Sequence, residues 1–301
     1  MLTFKSIEIE DKKTITDYTY SSNLPNCDYA FANMCSWRFL YNTEFAVQDG
    51  FLFIRFYIEE KKQKRLVYMF PVGDGDLQHA ISLMEKDSET SGHPLLILGV
   101  TSENKNNIEK LFLRQFRFIV ERDYFDYIYL RDDLIQLKGK KYQPKRNHIN
   151  QFIKQYDYTY LPVTKDIISE CKQLGQIWYE ANKAAENNKD LLHEQSSMTF
   201  ALEHFDALGL QGGAIVVENN IVAFTYGSPI NQVTFGVHVE KADIRYDGVF
   251  SLIGREFSKR IPQQYVYINR EEDLGIPGLR QSKLSYHPFL LLEKNAAIIR
   301  V

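Results

Sequence analysis

Thr43-Glu44-Phe45-Ala46-Val47-Gln48-Asp49-Gly50-Phe51-Leu52-Phe53-Ile54-Arg55-Phe56-Tyr57 reads as two extended segments around a two-residue turn. Aromatic and β-branched residues suit strands, and Asp-Gly supplies the positive φ values of a tight hairpin. Working outward, the pattern predicts strands at 43–48, 51–57 and 66–70, a helix at 76–86, a strand at 95–99, a helix at 103–115 and a strand at 116–121. The same order recurs in the second half. Strands at 214–218 and 221–227 flank Asn219-Asn220, followed by a strand at 233–239, a helix at 248–259, a strand at 265–269, a short helix at 277–283 and a strand at 289–293. The turns at 50 and 220 lie 170 residues apart, the third strands (66 and 233) 167, and the strands at 95 and 265 again 170. A near-constant offset predicts a tandem duplication of one α/β module. Between the copies, Ile167, Cys171, Leu174, Trp178 and Ala181 form one apolar helical stripe. Met198, Ala201, Leu202, Phe205 and Leu208 form another, closed by Gly209. By position these are the opening helices of the second module.

With 301 residues, 44% hydrophobic and 25% charged, the chain can bury a sizeable core and is expected to form two domains. A net charge of -3 argues against wholesale coating of nucleic acid, so any polyanion contact must come from a local patch. Cys27, Cys35 and Cys171 are too few and too scattered for a disulfide framework or a Cys-rich metal site. A reducing, cytoplasmic setting and no metal are therefore expected, as is the lack of a transmembrane segment, because no apolar run of spanning length occurs.

The local patch is Lys138-Gly139-Lys140-Lys141-Tyr142-Gln143-Pro144-Lys145-Arg146-Asn147-His148. Ile149, Phe152, Ile153 and Tyr156 then recur at helical spacing, and Pro144 suits a first helical turn. Cations at a helix N-terminus oppose its dipole unless an anion docks there. A phosphate site and a solvated basic linker both fit this segment. It lies at the seam expected between domain 1–137 and domain 138–301.

Two further segments carry chemistry. Arg245-Tyr246-Asp247-Gly248-Val249-Phe250 joins a strand to a helix, where Gly lets backbone approach a ligand and Arg245 could pair with a phosphate; an ordinary loop-to-helix turn fits equally. The matching loop of the first copy, Gly73-Asp74-Gly75-Asp76, would repel phosphate, so a donor site is expected in the second module. Asn269-Arg270-Glu271-Glu272-Asp273-Leu274-Gly275-Ile276-Pro277-Gly278-Leu279-Arg280-Gln281-Ser282-Lys283 follows an apolar strand, at the end where open α/β sheets hold ligands. Its acids could bind an amino group while Arg280 and Lys283 orient a carbonyl; a salt-bridged surface loop is the competing reading. His238 and His287 lack metal-ligand spacing and read as structural or supporting residues.

Asp126-Tyr127-Ile128-Tyr129, Asp133-Leu134-Ile135, Gly139-Lys140-Lys141-Tyr142 and Lys145-Arg146-Asn147-His148-Ile149-Asn150 with Phe152 resemble the signature of bacterial proteins grouped with the C-terminal catalytic domain of phosphatidylglycerol lysyltransferases. Cys27-Asp28-Tyr29, Phe31, Asn33, Trp37-Arg38, His238, Glu240-Lys241-Ala242, Gly248 and the 269–283 run are similar to further blocks. The resemblance covers nearly the whole chain. It implies an α/β (α+β) fold of two tandem Gcn5-related acetyltransferase-like domains, each a mixed sheet flanked by helices, as in Fem peptidyltransferases, which use aminoacyl-tRNA. Two departures stand out. Phe250 replaces the small last residue of the acetyltransferase pyrophosphate loop, and Leu284 or Ser285 stands where many acetyltransferases carry a Tyr, with Tyr286 nearby. Both lean towards an aminoacyl-tRNA donor over acyl-coenzyme A.

The expected function is transfer of an aminoacyl group from aminoacyl-tRNA to an amine or hydroxyl on a small molecule, peptide or lipid headgroup. An acyl-coenzyme A N-acyltransferase and a non-catalytic nucleotide or tRNA sensor are the alternatives. In this scheme Lys140, Lys141, Lys145, Arg146 and His148 bind donor phosphates, Arg245 and the amides after Gly248 a second phosphate or the acyl end, and Asn269 lies at the site. Glu240 or Asp273 handles the nucleophile, and Arg280 and Lys283 position the carbonyl.

Overall fold

A computed structural model describes residues 1–60, 62–183 and 188–300. In chain order the strands are β1 (Lys5–Ser6), β2 (Glu44–Gln48), β3 (Phe51–Glu60), β4 (Gln63–Met69), β5 (Val72–Gly73), β6 (Leu96–Val100), β7 (Phe116–Val120), β8 (Asp126–Leu130), β9 (Tyr158–Pro162), β10 (Gln211–Val217), β11 (Asn220–Pro229), β12 (Thr234–Ala242), β13 (Tyr267–Asn269), β14 (Leu290–Leu292) and β15 (Asn295–Ile299). They form two mixed sheets. The first runs β1-β2-β3-β4-β6-β15-β7, with β5 paired to β3; the second runs β9-β10-β11-β12-β13-β8-β14. In each, an antiparallel meander meets one parallel neighbour (β4 with β6, β12 with β13), and two antiparallel strands complete the sheet. The strand orders match position by position, as a duplicated module requires.

The sheets do not divide at residue 137. Strand β8, from the first half, pairs between β13 and β14 of the second sheet, while β15, from the C-terminal end, pairs between β6 and β7 of the first. These strands begin at residues 126 and 295, 169 apart, so they are the same element of the repeat, reciprocally exchanged. The pattern-based reading missed both. Each is a short apolar run whose partners lie far away in sequence, and alternation says nothing about which sheet a strand joins.

The first hairpin turns at Asp49-Gly50, both at positive φ (51° and 81°). In the second hairpin the residues at positive φ are Glu218 and Asn219 (50° and 62°), so its turn lies one position earlier than Asn219-Asn220. Asn220 already pairs with Val217 as the first residue of β11, and its side chain bonds Glu218 O at 2.9 Å.

Three large apolar clusters among the described residues hold the layers. Ile81, Met84, Tyr68, Ile97 and Phe53 pack one face of the first sheet. Phe152, Leu252, Ile253, Phe257 and Phe235 pack the outer face of the second, each buried side chain contributing about 1.5–3 kcal/mol. The third is shared: Ile15, Phe31, Cys35 and Leu52 from the first half meet Cys171, Met198, Leu202 and Phe224 from the second. The helices Ile168–Asn182 and Asn188–Glu203 belong to it, which accounts for their apolar stripes. No helix among the described residues is long and apolar enough to cross a membrane.

Candidate functional site

In the second sheet β12 runs on past its parallel partner, whereas β4 of the first sheet ends where its parallel pairing ends. In the first, the last parallel pair is Met69 with Leu98, Phe70 N–H bonds Leu98 O at 3.2 Å, and β4 ends at Met69. In the second, the last β12–β13 pair is Gly236 with Asn269, and β12 continues to Ala242 without a partner on that side. A bulge sharpens the divergence: Gly227 faces Val237 and Tyr226 faces Val239, leaving His238 as the extra residue. No such irregularity interrupts β3–β4.

On the outer face, Val237, Glu240, Arg270 and Tyr286 line a recess floored by Ser251, Gly254 and Phe257 of the helix Val249–Ser258. Glu240 Oε1 and Arg270 Nη2 are 3.0 Å apart across the opening, their side chains only 15% and 16% exposed. The Arg270 guanidinium lies over the Tyr286 ring at 4.9 Å, and Lys145 Nζ over the same ring at 4.0 Å. Burial and the neighbouring Arg270 hold the Lys145 ammonium below its ordinary pKa. Burial pushes the Tyr286 phenol up, and its hydroxyl bonds Ser251 Oγ at 3.2 Å. Two cations, a carboxylate and a protonated phenol thus converge on one opening.

The opposite face of the opening holds a second chain of polar groups. His238 Nδ1 is 2.8 Å from Glu271 Oε1, and Nε2 is 2.8 Å from Ser228 Oγ. Asn33 Nδ2 donates to the same Glu271 oxygen at 2.7 Å. Gly236 makes room for the ring, since a Cβ there would stand 2.9 Å from His238 Cε1. Lys241 also lies on this face, over Trp178 and paired with Glu194 at 2.8 Å, so Glu240 and Lys241 do not meet in one cavity. Neighbouring strand residues point to opposite sides.

The 269–283 run serves several ends at once. Asp273 is fully buried and takes both Arg280 nitrogens (2.8 and 2.6 Å), Tyr127 OH (2.5 Å) and Gly275 N–H (2.9 Å). Although burial opposes ionisation, these donors hold its carboxyl far below the usual range. Its lone pairs are spent, which speaks against a role as base. Arg280 also bonds Asp123 at 2.6 Å and so ties the loop to the first half. Lys283 Nζ donates to the carbonyls of Arg270 (2.6 Å) and Glu272, which makes it a clamp beneath the loop rather than a carbonyl-positioning group. Asn269 is buried, bonding Asp126 Oδ2 and Pro25 O at 2.7 Å each.

The basic segment divides in the same way. Its helix is Gln143–Gln155, with Pro144 in the first turn. Arg146 donates to the carbonyls of Leu137 and Gly139 (2.7 Å to the latter), capping the preceding helix Arg131–Gln136 instead of awaiting an anion. His148 stands 3.5 Å from Asp247, and Arg245 forks onto Asp243. Lys140 and Lys141 are exposed. Gly248, at φ +87°, is needed for packing, because a Cβ there would meet His148 O at 2.3 Å. Of the expected set, Glu240 lines the recess and Lys145 stands beside it, over the Tyr286 ring. Arg270 and Tyr286 join them; alternation along 269–271 could have singled out Arg270, whereas the signal for Tyr286 was its place just after the short helix, near the position where many acetyltransferases carry a Tyr.

Between the modules, Lys294 Nζ lies 2.8 Å from Asp126 Oδ1 and 3.0 Å from Asp28 Oδ2, and it contacts Glu272. Asp126 opens β8 and Lys294 immediately precedes β15, so this pair marks the strand exchange. Burial pushes the Asp126 carboxyl up to about 6 and raises Asp28 and Cys27 as well; Lys294 holds Glu272 low against the same burial. Cys27, Asp28 and Glu272 are spaced to hold a cation, and the Lys294 ammonium supplies it.

The architecture agrees with the comparisons. The chain matches the family model described as "Phosphatidylglycerol lysyltransferase, C-terminal" over residues 21–295. A conserved protein of unknown function from Bacteroides thetaiotaomicron VPI-5482 is 49% identical, with a TM-score of 0.95 and full coverage of both chains. L-PGS from Bacillus licheniformis is 15% identical at a TM-score of 0.66, over 98% of this chain and 93% of that one. FemX is 10% identical at 0.60, over 99% and 98%, and at these identities the likeness is one of fold. An uncharacterised protein of Mycoplasmoides gallisepticum is 22% identical over 58% of this chain, a match that spans only 56% of that protein's length. Two tandem acetyltransferase-like modules and a family match over most of its length make the chain a member of the phosphatidylglycerol lysyltransferase C-terminal family.

Proposed function

We propose that this protein is an aminoacyl transferase, moving an aminoacyl group from aminoacyl-tRNA to an amine or hydroxyl acceptor, with the second module as the working one. Family membership supports the reaction class. The observation that carries the assignment to this module is the stretch of β12 beyond Gly236 that has no partner on the β13 side, whereas β4 of the first module ends at its last parallel pair. Lys145 and Arg270 face the recess where the donor's ester end would enter and offer positive charge to the carbonyl oxygen as it becomes an oxyanion. Glu240 holds Arg270 in place and presents a carboxylate to the donor's amino group. The acceptor attacks the carbonyl carbon, the ester C–O bond breaks, and the departing ribose oxygen takes a proton from the Tyr286 hydroxyl, which its raised pKa keeps protonated. Exposed Lys140 and Lys141 extend the positive surface along which a tRNA backbone could lie.

The test is transfer of label. The purified chain is incubated with a pool of radiolabelled aminoacyl-tRNAs, or with labelled acyl-coenzyme A, together with amines, peptides and headgroup-bearing vesicles. Label passing from tRNA to an acceptor supports the proposal. Label passing only from coenzyme A replaces it with the N-acyltransferase reading, and tRNA binding without any product replaces it with a sensor.

A further inference from the structure

We propose that Ser228, His238 and Glu271 form the proton relay that activates the acceptor, on the face of the opening opposite the donor recess. This rests on the transferase reading above and names the part of it that Glu240 and Asp273 do not fill. Glu240 is committed to Arg270, and Asp273 has no free lone pair. Some group must nevertheless take a proton from the attacking amine or hydroxyl.

The geometry is that of an oriented base. Ionised Glu271 can only accept, so at 2.8 Å it fixes the His238 proton on Nδ1 and leaves the Nε2 lone pair for the Ser228 hydroxyl, also at 2.8 Å. Asn33 holds Glu271 from the first half of the chain. Position completes the case. His238 is the bulge residue two places past the last β12–β13 pair, and Glu271 lies two places past the end of β13, so their bond spans the mouth of the opening. Ser228, on β11, and His238 face the layer of helices 31–36, 168–182 and 188–203, whereas Glu240 and Arg270 face the donor side. Donor and acceptor can therefore meet at the opening from opposite faces.

In the step itself, the acceptor's O–H or N–H proton passes to Ser228 Oγ as the serine proton passes to His238 Nε2. The freed electron pair forms the new bond to the carbonyl carbon. The imidazolium is stabilised by Glu271 and later returns its proton through solvent to Tyr286, which has protonated the leaving ribose oxygen. Nothing is gained or lost overall. Besides Glu271, the ionisable groups around this chain include, among the described residues, Tyr226 from β11, Lys241 from β12, Glu194 from helix 188–203 and Lys283 from helix 277–284.

The test uses steady-state transfer by the full chain with His238→Gln, Glu271→Gln and Ser228→Ala. His238→Gln is expected to lower kcat by about 10²–10⁴-fold with the donor KM unchanged and to abolish the acid limb of the pH profile. Added imidazole should restore part of the activity of His238→Gly. Variants that keep kcat, or lose it while the acid limb stays in place and imidazole has no effect, overturn the relay in favour of a structural tie. Independently of turnover, nitrogen NMR of the unaltered chain should find neutral His238 with its proton on Nδ1. A proton on Nε2 overturns the relay even if no transfer substrate has been found, whereas a wild-type chain inert to every donor counts against the transferase reading itself.

Discussion

Arg270 and Glu271 are neighbours in sequence and reach opposite faces of the second sheet. Arg270 meets Glu240 at 3.0 Å on the donor side, and Glu271, at φ +58°, meets His238 at 2.8 Å on the other. Together they tie the end of β13 to the bulged part of β12 with one bond on each side of the opening. Separating either pair should loosen the opening itself. Arg270→Ala leaves Glu240 partly buried beside Tyr286 without its partner, and a loss of about 3 kcal/mol is expected in denaturant unfolding. A loss below about 0.5 kcal/mol would show the pair to be incidental.

Lys145 and Arg146 adjoin in the basic helix but should behave differently. Lys145 overlooks the recess, so Lys145→Ala should raise the donor KM and reduce the salt slope of tRNA binding by about one unit if it meets a phosphate. Arg146 is spent on the carbonyls of Leu137 and Gly139. Arg146→Ala should lower Tm while leaving the salt slope intact. The reverse pattern would restore Arg146 to the donor site.

Much of this was legible in the sequence, and the limits have physical causes. Period-2 and period-3.6 patterning found the repeated meander and helices because those signals are local. It could not assign β8 and β15 to sheets, since exchange leaves the local pattern unchanged. The loop after β13 was recognisable as polar and important, yet its individual roles were hidden. Asp273 and Lys283 look like catalytic groups and Asn269 like a binding group when read from residue type alone, but each has its hydrogen-bonding capacity consumed by the loop and the module interface. Ser228 looked like any strand serine, because its distance from His238 depends on a bulge the pattern does not encode.

The Lys294 network makes stability depend on pH in a defined direction. The Asp126 carboxyl is raised from 3.8 to about 6 in the folded chain, so its protonated form stabilises the fold below pH 4 and that contribution fades as the pH rises through 6. The shift corresponds to roughly 3 kcal/mol, which Asp126→Asn should make independent of pH over that window. Lys294→Met removes the ammonium that joins Asp28, Asp126 and Glu272, so it should cost about 3–5 kcal/mol at pH 7 and recover part of this at pH 4–5, where the acids take up protons. Unfolding curves for Lys294→Met that run parallel to wild type at both pH values would remove this account of the network.

Strand exchange makes the strongest claim about cooperativity. Strand β15 is an interior strand of the first sheet, paired on both sides, with Ala297 fully buried against the core that also holds Ile97 and Phe116. Strand β8 is equally interior to the second, with Tyr127 and Tyr129 buried. Removing either leaves two facing rows of unpaired backbone groups in the middle of a sheet, a cost far beyond the net stability of an ordinary domain. Neither 1–137 nor 138–301 should therefore fold alone, despite each carrying nearly a whole module. The first lacks β15 and holds β8 with nowhere to pair, and the second has the opposite defect. Mixed together, the two fragments should recover native circular dichroism and a single melting transition, because each supplies the strand the other lacks. Intact protein should likewise melt in one step, with calorimetric and van't Hoff enthalpies equal. Two resolved transitions, or an isolated 138–301 fragment with protected amides in β12 and β13, would mean that the exchanged strands do not couple the modules.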